Sequence, residues 1–340
     1  MKKPLRILAL MHKSLVPPED VTGVDTRTAE WKTEFDVTAT LASLGHDVRK
    51  LGVRGELAPL REALNEFKPD VAFNLLEAFD DVVTWDQNVV AYLEMLKVRY
   101  TGCNTRGLML GRDKAITKKL LAYHRIPVPD FAFFQQGRRV RRPKRLGFPL
   151  IVKSLTLDAS IGIAQASVVE SDEKLAERVR YVHEGVGTDA IAESYIEGRE
   201  LYVGILGNHR LLALPVWEMS FANMPDEVHR IATERLKSSP AYQNRHGIRT
   251  HAAEELPAGL GERIQGVCKR VYRVLQLSGY ARIDLRLAAD GRFYVLEANP
   301  NPQLAFGEDF AESAEAAGIH YGPLLQRLVN LGLTWVPWGV

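Results

Sequence analysis

The residues best placed to do chemistry lie in one stretch near the C-terminus, Tyr280 to Pro302, YARIDLRLAADGRFYVLEANPNP. Alternation puts Ala281, Ile283, Leu285 and Leu287 on one side of a strand, and Arg282, Asp284 and Arg286 on the other. Beyond Asp290-Gly291 the alternation resumes, with Tyr294, Leu296 and Ala298 against Val295, Glu297 and Asn299. An Asp-Gly pair between two such runs signals a hairpin, because a tight primed turn needs positive φ. With those two residues at the centre of the turn, Asp284 faces Glu297 and Arg282 faces Asn299. A wider loop that moves the pairing by two keeps all four on one face. Two carboxylates at cross-strand distance repel unless a cation lies between them. Mg²⁺ suits such a place, since it takes one or two protein carboxylates and completes its shell with water and phosphate oxygens. The plainer reading is an exposed polar face neutralised by Arg282. The Asn-Pro-Asn-Pro that follows favours a site: it ends the strand abruptly and leaves Glu297 and Asn299 at a C-terminal strand edge.

Such a hairpin needs a large scaffold, and 340 residues suffice for two or three domains, each with its own core. A net charge of +2 does not suggest nucleic acid. The one dense basic run, RRVRRPKR at 138–145, is broken by Pro143 and reads as a solvated loop. Cys103 and Cys268 are too few and too far apart for a disulfide framework or zinc site, which points to a reducing compartment. The N-terminal MKKPLRILALM is interrupted by Arg6 and reads as a buried strand rather than a signal peptide. No apolar run reaches bilayer-spanning length. The expectation is a cytoplasmic protein with neither nucleic-acid nor membrane partners.

Residues 5–11 read as a parallel strand, followed by a helix at about 26–44 and a strand around His46–Leu51. A helix over 57–67, the strand VAFNLL, a helix over 86–96 and a short strand Arg99–Thr101 come next. This alternation argues for an α/β, doubly wound parallel sheet over residues 1–112. The segment contains neither G-x-G-x-x-G nor G-x-x-x-x-G-K-[ST], so nucleotide phosphates are not expected there. Asp113 then caps a helix opening with Lys114. Short β-rich runs and one helix near Asp172–His183 make a small α+β unit over 113–200. The remainder, 201–340, holds further strands, a polar stretch 219–255, a helix over 261–276, the hairpin and an amphipathic closing helix. So long a polar stretch inside a compact domain suits a lid or binding loop. Lys153 ends the apolar strand LIVKS and leads into the small-residue loop TLDASIGIA. Ammonium and backbone N–H groups there could hold phosphate oxygens, although one such lysine also fits a snorkelling surface residue.

In this order, Asp113-Lys114, ESYIEGRE at 193–200 and ARIDLR…YVLEANPNP at 281–302 resemble the ATP-grasp superfamily, and within it the D-alanine–D-alanine ligase-like branch. The resemblance runs from about residue 85 to 332, and more loosely from residue 5. It implies a pre-ATP-grasp α/β lobe followed by a two-lobed ATP-grasp fold, and an ADP-forming carboxylate–amine ligase that acts through an acyl phosphate. By the same resemblance Lys114, Lys153 and the lid lysine Lys237 would contact ATP phosphates, with Ser160 in the small-residue loop. Glu193 and the Ile196 backbone would meet the adenine edge, Tyr195 would lie beside the ring, and Glu200 would take the ribose hydroxyls. Asp284, Glu297 and Asn299 would hold Mg²⁺ (or Mn²⁺), and Arg282 would stabilise the charge on the acyl phosphate and tetrahedral intermediate. Small-molecule substrates follow, and a homodimer through the N-terminal lobe fits the family.

The amino-acid side departs from that pattern. Where the family has a serine pair this chain has Ala159-Ser160, and Lys237 is followed by Ser238 rather than tyrosine. Where the family has Pro-Gly-Met and then a serine for the second substrate's carboxylate, this chain has Pro302-Gln303-Leu304 and then Glu308. An acid there repels a carboxylate and tolerates a cation or neutral group. Glu19 is the weakly matched counterpart of the glutamate that receives the first substrate's ammonium. His246 and His251 in the lid region read either as solvent-facing or as substrate contacts. The alternatives are an authentic D-alanine–D-alanine (or D-alanine–D-lactate) ligase and a catalytically silent ATP-binding regulatory protein. An ATP-grasp carboxylase or phosphotransferase fits less well.

Overall fold

The computed structural model of the protein describes residues 3–158, 160–225 and 228–337, apart from the side chains of Lys237, Ser238 and Pro240. Its N-terminal part runs β1 (Arg6–His12), α1 (Lys32–Ser43), β2 (Asp47–Val53), α2 (Ala58–Phe67), β3 (Val71–Asn74), α3 (Asp86–Met95), α4 (Thr105–Arg112) and α5 (Lys114–Tyr123). The strands form a parallel sheet in the order β2-β1-β3. Both faces of β1 are covered, which explains its unbroken apolar run. Leu8 and Leu10 pack with Leu60 of α2 and Leu93 of α3, whereas Ile7, Ala9 and Met11 pack with Val37 and Leu41 of α1.

Next come β4 (Phe131–Phe134), β5 (Leu150–Ser154), β6 (Val168–Val169), α6 (Asp172–Tyr181) and β7 (Ala190–Ser194), with an antiparallel sheet in the order β4-β7-β5-β6. The last part holds β8 (Arg199–Leu206), β9 (Leu212–Ala213), β10 (Trp217–Phe221), α7 (Glu234–Ser238), α8 (Pro240–His246), β11 (Ile248–Ala252), α9 (Leu260–Val274), β12 (Tyr280–Leu287), β13 (Phe293–Pro300), α10 (Asp309–Ala316) and α11 (Tyr321–Thr334). Its large sheet has the order β11-β10-β8-β12-β13, with β9 beside β8. The closing helix α11 returns to the N-terminal sheet, where Leu324, Leu325 and Leu328 join the β1–α1 core. No helix among the described residues is long and apolar enough to cross a membrane.

Several elements differ from the sequence expectation. The helix expected from about 26 begins at Lys32, because Asp20 and Asp25 bond the backbone N–H two residues on, at Thr22 and Arg27. Such Asx turns compete with helix. The strand expected at 99–101 reduces to one parallel bridge, Ala72 to Tyr100, before the chain turns at Gly102 with φ +92. Within the 219–255 stretch, α7, α8 and β11 are ordered, and β11 pairs with β10 from Ala252 to Ile248. Helix α4 was hidden by its glycines. A Cβ on Gly107 would lie 2.5 Å from Cys103 Sγ and one on Gly111 3.1 Å from Pro300 Cδ, so here glycine serves close packing.

The β7–β8 turn sets the floor of the site. Gly198 there has φ +148, and a Cβ on it would lie 2.0 Å from the carbonyl oxygen of Leu287. Gly198→Ala should therefore cost roughly 3 kcal/mol or more of stability. A urea midpoint within error of wild type would contradict this packing.

Candidate active site

The hairpin carries the pairing expected of it, but by a different route. Ala288 and Arg292 close a three-residue loop in which Gly291 has φ +79, so Asp290-Gly291 is not a two-residue turn. Arg286 consequently faces Tyr294, and Leu285 faces Val295. A bulge between Asp284 and Leu285 then shifts the register, leaving Leu296 unpaired and setting Asp284 opposite Glu297 and Arg282 opposite Asn299. Bulges re-aim side chains in this way. Strict alternation put Val295 on the face of Glu297 and Asn299; instead Val295 is buried in the core with Leu285, because the bulge changes the parity of the strand.

On the polar face Arg282 grips Asp284 with two bonds, Nε to Oδ1 at 2.8 Å and Nη2 to Oδ2 at 2.9 Å. The Asn299 amide donates to Asp284 Oδ2 at 2.9 Å and to Glu297 Oε1 at 3.5 Å. Burial works against the charge on Arg282, but Asp284 outweighs it and holds the guanidinium protonated. No cluster of three or more His, Cys, Asp or Glu side chains suited to a metal occurs among the described residues. The donor set is instead two carboxylates and an amide. That set fits Mg²⁺, which keeps open positions for water and phosphate oxygens, and does not fit a closed structural site.

Behind the hairpin lies a buried charge network. Lys114 and Lys118 stand one turn apart on α5 and share a face. Lys114 Nζ reaches Leu157 O at 2.8 Å, Asp158 Oδ1 at 3.0 Å and Glu297 Oε2 at 3.7 Å. Burial opposes its charge, yet Asp158 and Glu297 together raise its pKa above the ordinary lysine value. Lys118, with a side chain 0% exposed, bonds Glu193 Oε2 at 3.3 Å and the carbonyl of the bulged Leu296 at 2.7 Å. Lys153 also meets Glu193, at 3.4 Å. Burial pushes the Glu193 carboxyl up, but the two ammonium groups outweigh it and keep it ionised. Its other oxygen, Oε1, is buried with no hydrogen-bond partner. A buried orphan acceptor facing no protein donor fits the exocyclic amine of a purine.

These groups surround a cleft of about 650 Å³ lined by Lys114, Lys153, Ser160, Glu200, Asp284 and Glu297 among others. Ile151, Ile163, Ile231 and Leu296 supply apolar walls suited to the faces of a base. The lid region lies against the small-residue loop: Gly162 N donates to Glu234 Oε2 at 2.8 Å, and Gln165 and His229 exchange bonds of 3.0 Å. Arg286 ties this closure to the floor, reaching the carbonyls of Gly198 and Arg230 at 3.2 and 2.9 Å and Glu200 Oε2 at 3.3 Å. Tyr202 donates to the other oxygen of Glu200 at 2.7 Å.

Sequence reasoning missed Lys118, Asp158 and Arg286. The signals were present: Lys118 follows Lys114 at helical spacing, and Arg286 lies on the polar face of β12. Of the other expected residues, Tyr195 packs edge-on to His229 at 5.0 Å, and its backbone N–H is used by Pro149 O. Ile196 follows it in the β7–β8 turn. Lys237 lies on α7 and its side chain falls outside the described residues, as does Ala159 altogether. Glu19 stands outside the cleft, its side chain 93% exposed and paired with Lys50 at 3.1 Å. Glu308 precedes α10, half-buried, with its pKa raised by burial and by Asp309. His246 stacks on Tyr242 and His251 bonds Ala252 O, each within the lid region.

A second, smaller cavity lies between α1, the segment after β3 and the chain after β13. Glu34 and Glu77 both line it. Glu34 is 4% exposed and its Oε2 has no partner. Burial, with a smaller push from Glu77, raises its pKa to about 7. The folded state therefore binds a proton that the unfolded state has released between the ordinary glutamate value and about 7, so stability is lost as pH rises through that window. The full loss is roughly 3 kcal/mol. Glu34→Gln should remove this dependence and melt higher than wild type at pH 8; an unchanged or lower melting temperature there would contradict it.

The D-ala D-ala ligase C-terminus family model matches residues 120–330. The D-alanine–D-alanine ligase of Desulforudis audaxviator is 31% identical over 301 residues, covering 87% of this chain and 90% of that protein. The D-alanine–D-alanine ligase of Desulfotalea psychrophila is 30% identical over 275 residues, covering 78% of each. The crystal structure of the Bacillus anthracis D-alanine–D-alanine ligase complexed with ATP superposes with a TM-score of 0.73 at 25% identity, covering 97% of both chains. With an ATP-grasp fold, a family model spanning most of the chain and relatives at 30–31% identity aligned over 78–87% of it, this protein belongs to the D-alanine–D-alanine ligase family.

Proposed function

We propose that this protein joins a carboxylic acid to an amine by way of an acyl phosphate, with the residues of the large cleft in the roles that follow. Membership of the family makes it an ATP-dependent, ADP-forming ligase acting on small molecules, with a divalent cation in its chemistry. The purine lies between Ile151, Ile163, Ile231 and Leu296 with its amine on Glu193 Oε1, and Tyr195 and Ile196 border it. Glu200, oriented by Arg286 and Tyr202, takes the ribose hydroxyls. Lys114 and Lys153 meet phosphate oxygens, joined by Lys237 from the lid and by the loop at Ser160.

A substrate carboxylate oxygen attacks the γ-phosphorus and ADP leaves; the amine then attacks the acyl carbon, loses a proton and expels phosphate. Phosphoryl transfer asks chiefly for position and charge neutralisation, which two lysines in the cleft and Arg282 supply. Asp284, Glu297 and Asn299 would hold the cation, which when bound neutralises phosphate charge. We take it to be Mg²⁺ (or Mn²⁺), because every donor offered is oxygen. The closed lid keeps water from the acyl phosphate.

The observation that carries this reading is the Asp284–Glu297 pairing on the wall of a cleft that also presents Lys114 and Lys153. We place the lobe boundaries after residues 112 and 200, take a cytoplasmic setting from the two unpaired buried cysteines, and take a homodimer from the family resemblance. The test is ADP release with Mg·ATP across paired amino acids and amines, with the amide product quantified. One amide per ADP supports the reading. Turnover with D-alanine alone supports the narrower assignment favoured by the relatives' names. ATP binding without ADP formation in every mixture would overturn both.

A further inference from the structure

The scheme above gives the small cavity no ligand, and the charges that line it are of one sign. Its lining includes the acids Glu34 and Glu77 and no lysine, arginine or histidine among the described residues. Its walls are mixed: Leu75, Leu76, Leu304 and Tyr280 supply apolar surface, and Thr33, Asn74, Asn301 and Gln303 supply neutral polar groups. Glu34 is nine-tenths buried, lines the cavity and carries an oxygen that no protein group bonds. A buried carboxylate oxygen left without a donor is costly, and either a proton or a cationic partner from outside the chain relieves that cost. The neighbouring cations are already committed. Arg112 pairs with Asp86 and, at 3.0 Å, with Asp158, and Lys32 pairs with Asp36 at 2.7 Å.

Polar contacts also link the lining of this cavity to the reaction cleft. Arg112 Nη2 reaches the carbonyl of Glu77 at 3.5 Å while its Nη1 holds Asp158, which in turn holds Lys114 in the large cleft. Tyr280 opens the strand that carries Arg282, and Asn301 follows Asn299 by two residues. A group seated between Glu34 and Glu77 thus lies beside the carboxyl-activating end of the hairpin.

We propose that this cavity seats the ammonium of a cationic side chain, so that one of the two substrates is a basic amino acid or diamine whose alkyl stem runs along Leu76 and Tyr280. The proposal rests on the ligase reading and deepens it by naming a substrate class. Glu34 supplies a buried acceptor and Glu77 a second one, while Leu75, Leu76, Leu304 and the Tyr280 ring offer the stem apolar contact. A second carboxylate is not admitted, since both acids repel it. A neutral side chain of the same length gains the apolar contact but leaves Glu34 unpaired.

The test is binding to the full chain with Mg·ADP present, measured by calorimetry and thermal shift. The probes are lysine and ornithine as both enantiomers, against norleucine, norvaline and D-alanine. The basic amino acids should bind at least tenfold tighter than their apolar counterparts, for at least one enantiomer. Glu34→Gln and Glu77→Gln should each reduce that preference about tenfold while leaving norleucine binding unchanged. Each amide keeps the shape of the acid it replaces, and the comparison of probes on wild type stands even where a variant fails to fold. Equal affinity for basic and apolar probes, a preference for D-alanine, or a basic preference that survives both substitutions would overturn the proposal. This readout needs no turnover, so its failure is distinct from absence of ADP formation, which bears on the ligase reading itself.

Discussion

Glu297→Gln and Asp284→Asn should each lower ADP formation about a thousand-fold, the scale on which a preorganised charge facing a transferring phosphoryl group acts. Each amide keeps the size of the side chain and removes one unit of negative charge from the hairpin face. The two differ in side effects. Asp284 is the bidentate partner of a buried Arg282, so its loss also leaves that guanidinium with Asp309, 3.9 Å away, as its acidic partner among the described residues. Glu297 is more open, its side chain 23% exposed, and its substitution should fold as wild type. Glu297→Gln is therefore the cleaner measurement. A well-folded variant with turnover within tenfold of wild type would remove Glu297 from the chemistry.

The second large effect concerns stability. Glu193→Gln should destabilise the protein by roughly 3–5 kcal/mol, because Lys118 is left charged with no exposure and, among the described residues, the Leu296 carbonyl as its remaining hydrogen-bond partner. The double variant Glu193→Gln/Lys118→Met should recover a large part of that loss, since both buried charges are then gone. Urea melts of the four proteins give the coupling directly. Additive single effects would show that the pair does not act as a unit. Glu193→Gln should also weaken ATP binding, whereas Lys118→Met alone leaves the Glu193 acceptor in place with Lys153 still beside it.

Much of this architecture was legible because local patterns and tertiary demands agree. The apolar run of β1, the Asp113 cap of α5 and the period of α11 each specify their element without help from elsewhere. The site was legible where it depends on register, and Asp284–Glu297 is the clearest case. That pairing nonetheless survives only because two departures cancel: the loop at Gly291 shifts the strands by one residue and the bulge at Leu296 shifts them back. Strict alternation cannot foresee a bulge, so Val295 was assigned to the wrong face. Lys118 escaped notice because nothing local distinguishes a buried lysine from a solvated one; its burial is decided by Glu193, 75 residues away in sequence. Glu34 is hidden for the same reason. It reads as an ordinary polar residue of an amphipathic helix until the chain after β13 closes over it.

The most direct test of the hairpin's role is the affinity for ATP as a function of Mg²⁺ concentration, by calorimetry on wild type, Glu297→Gln and Asp284→Asn. In wild type, ATP should bind tightly only with the cation present. Both variants should keep wild-type affinity for metal-free ATP and lose most of the gain that Mg²⁺ confers. A gain of the same size in all three proteins would mean that the cation lies elsewhere and that this β-ribbon does not carry it.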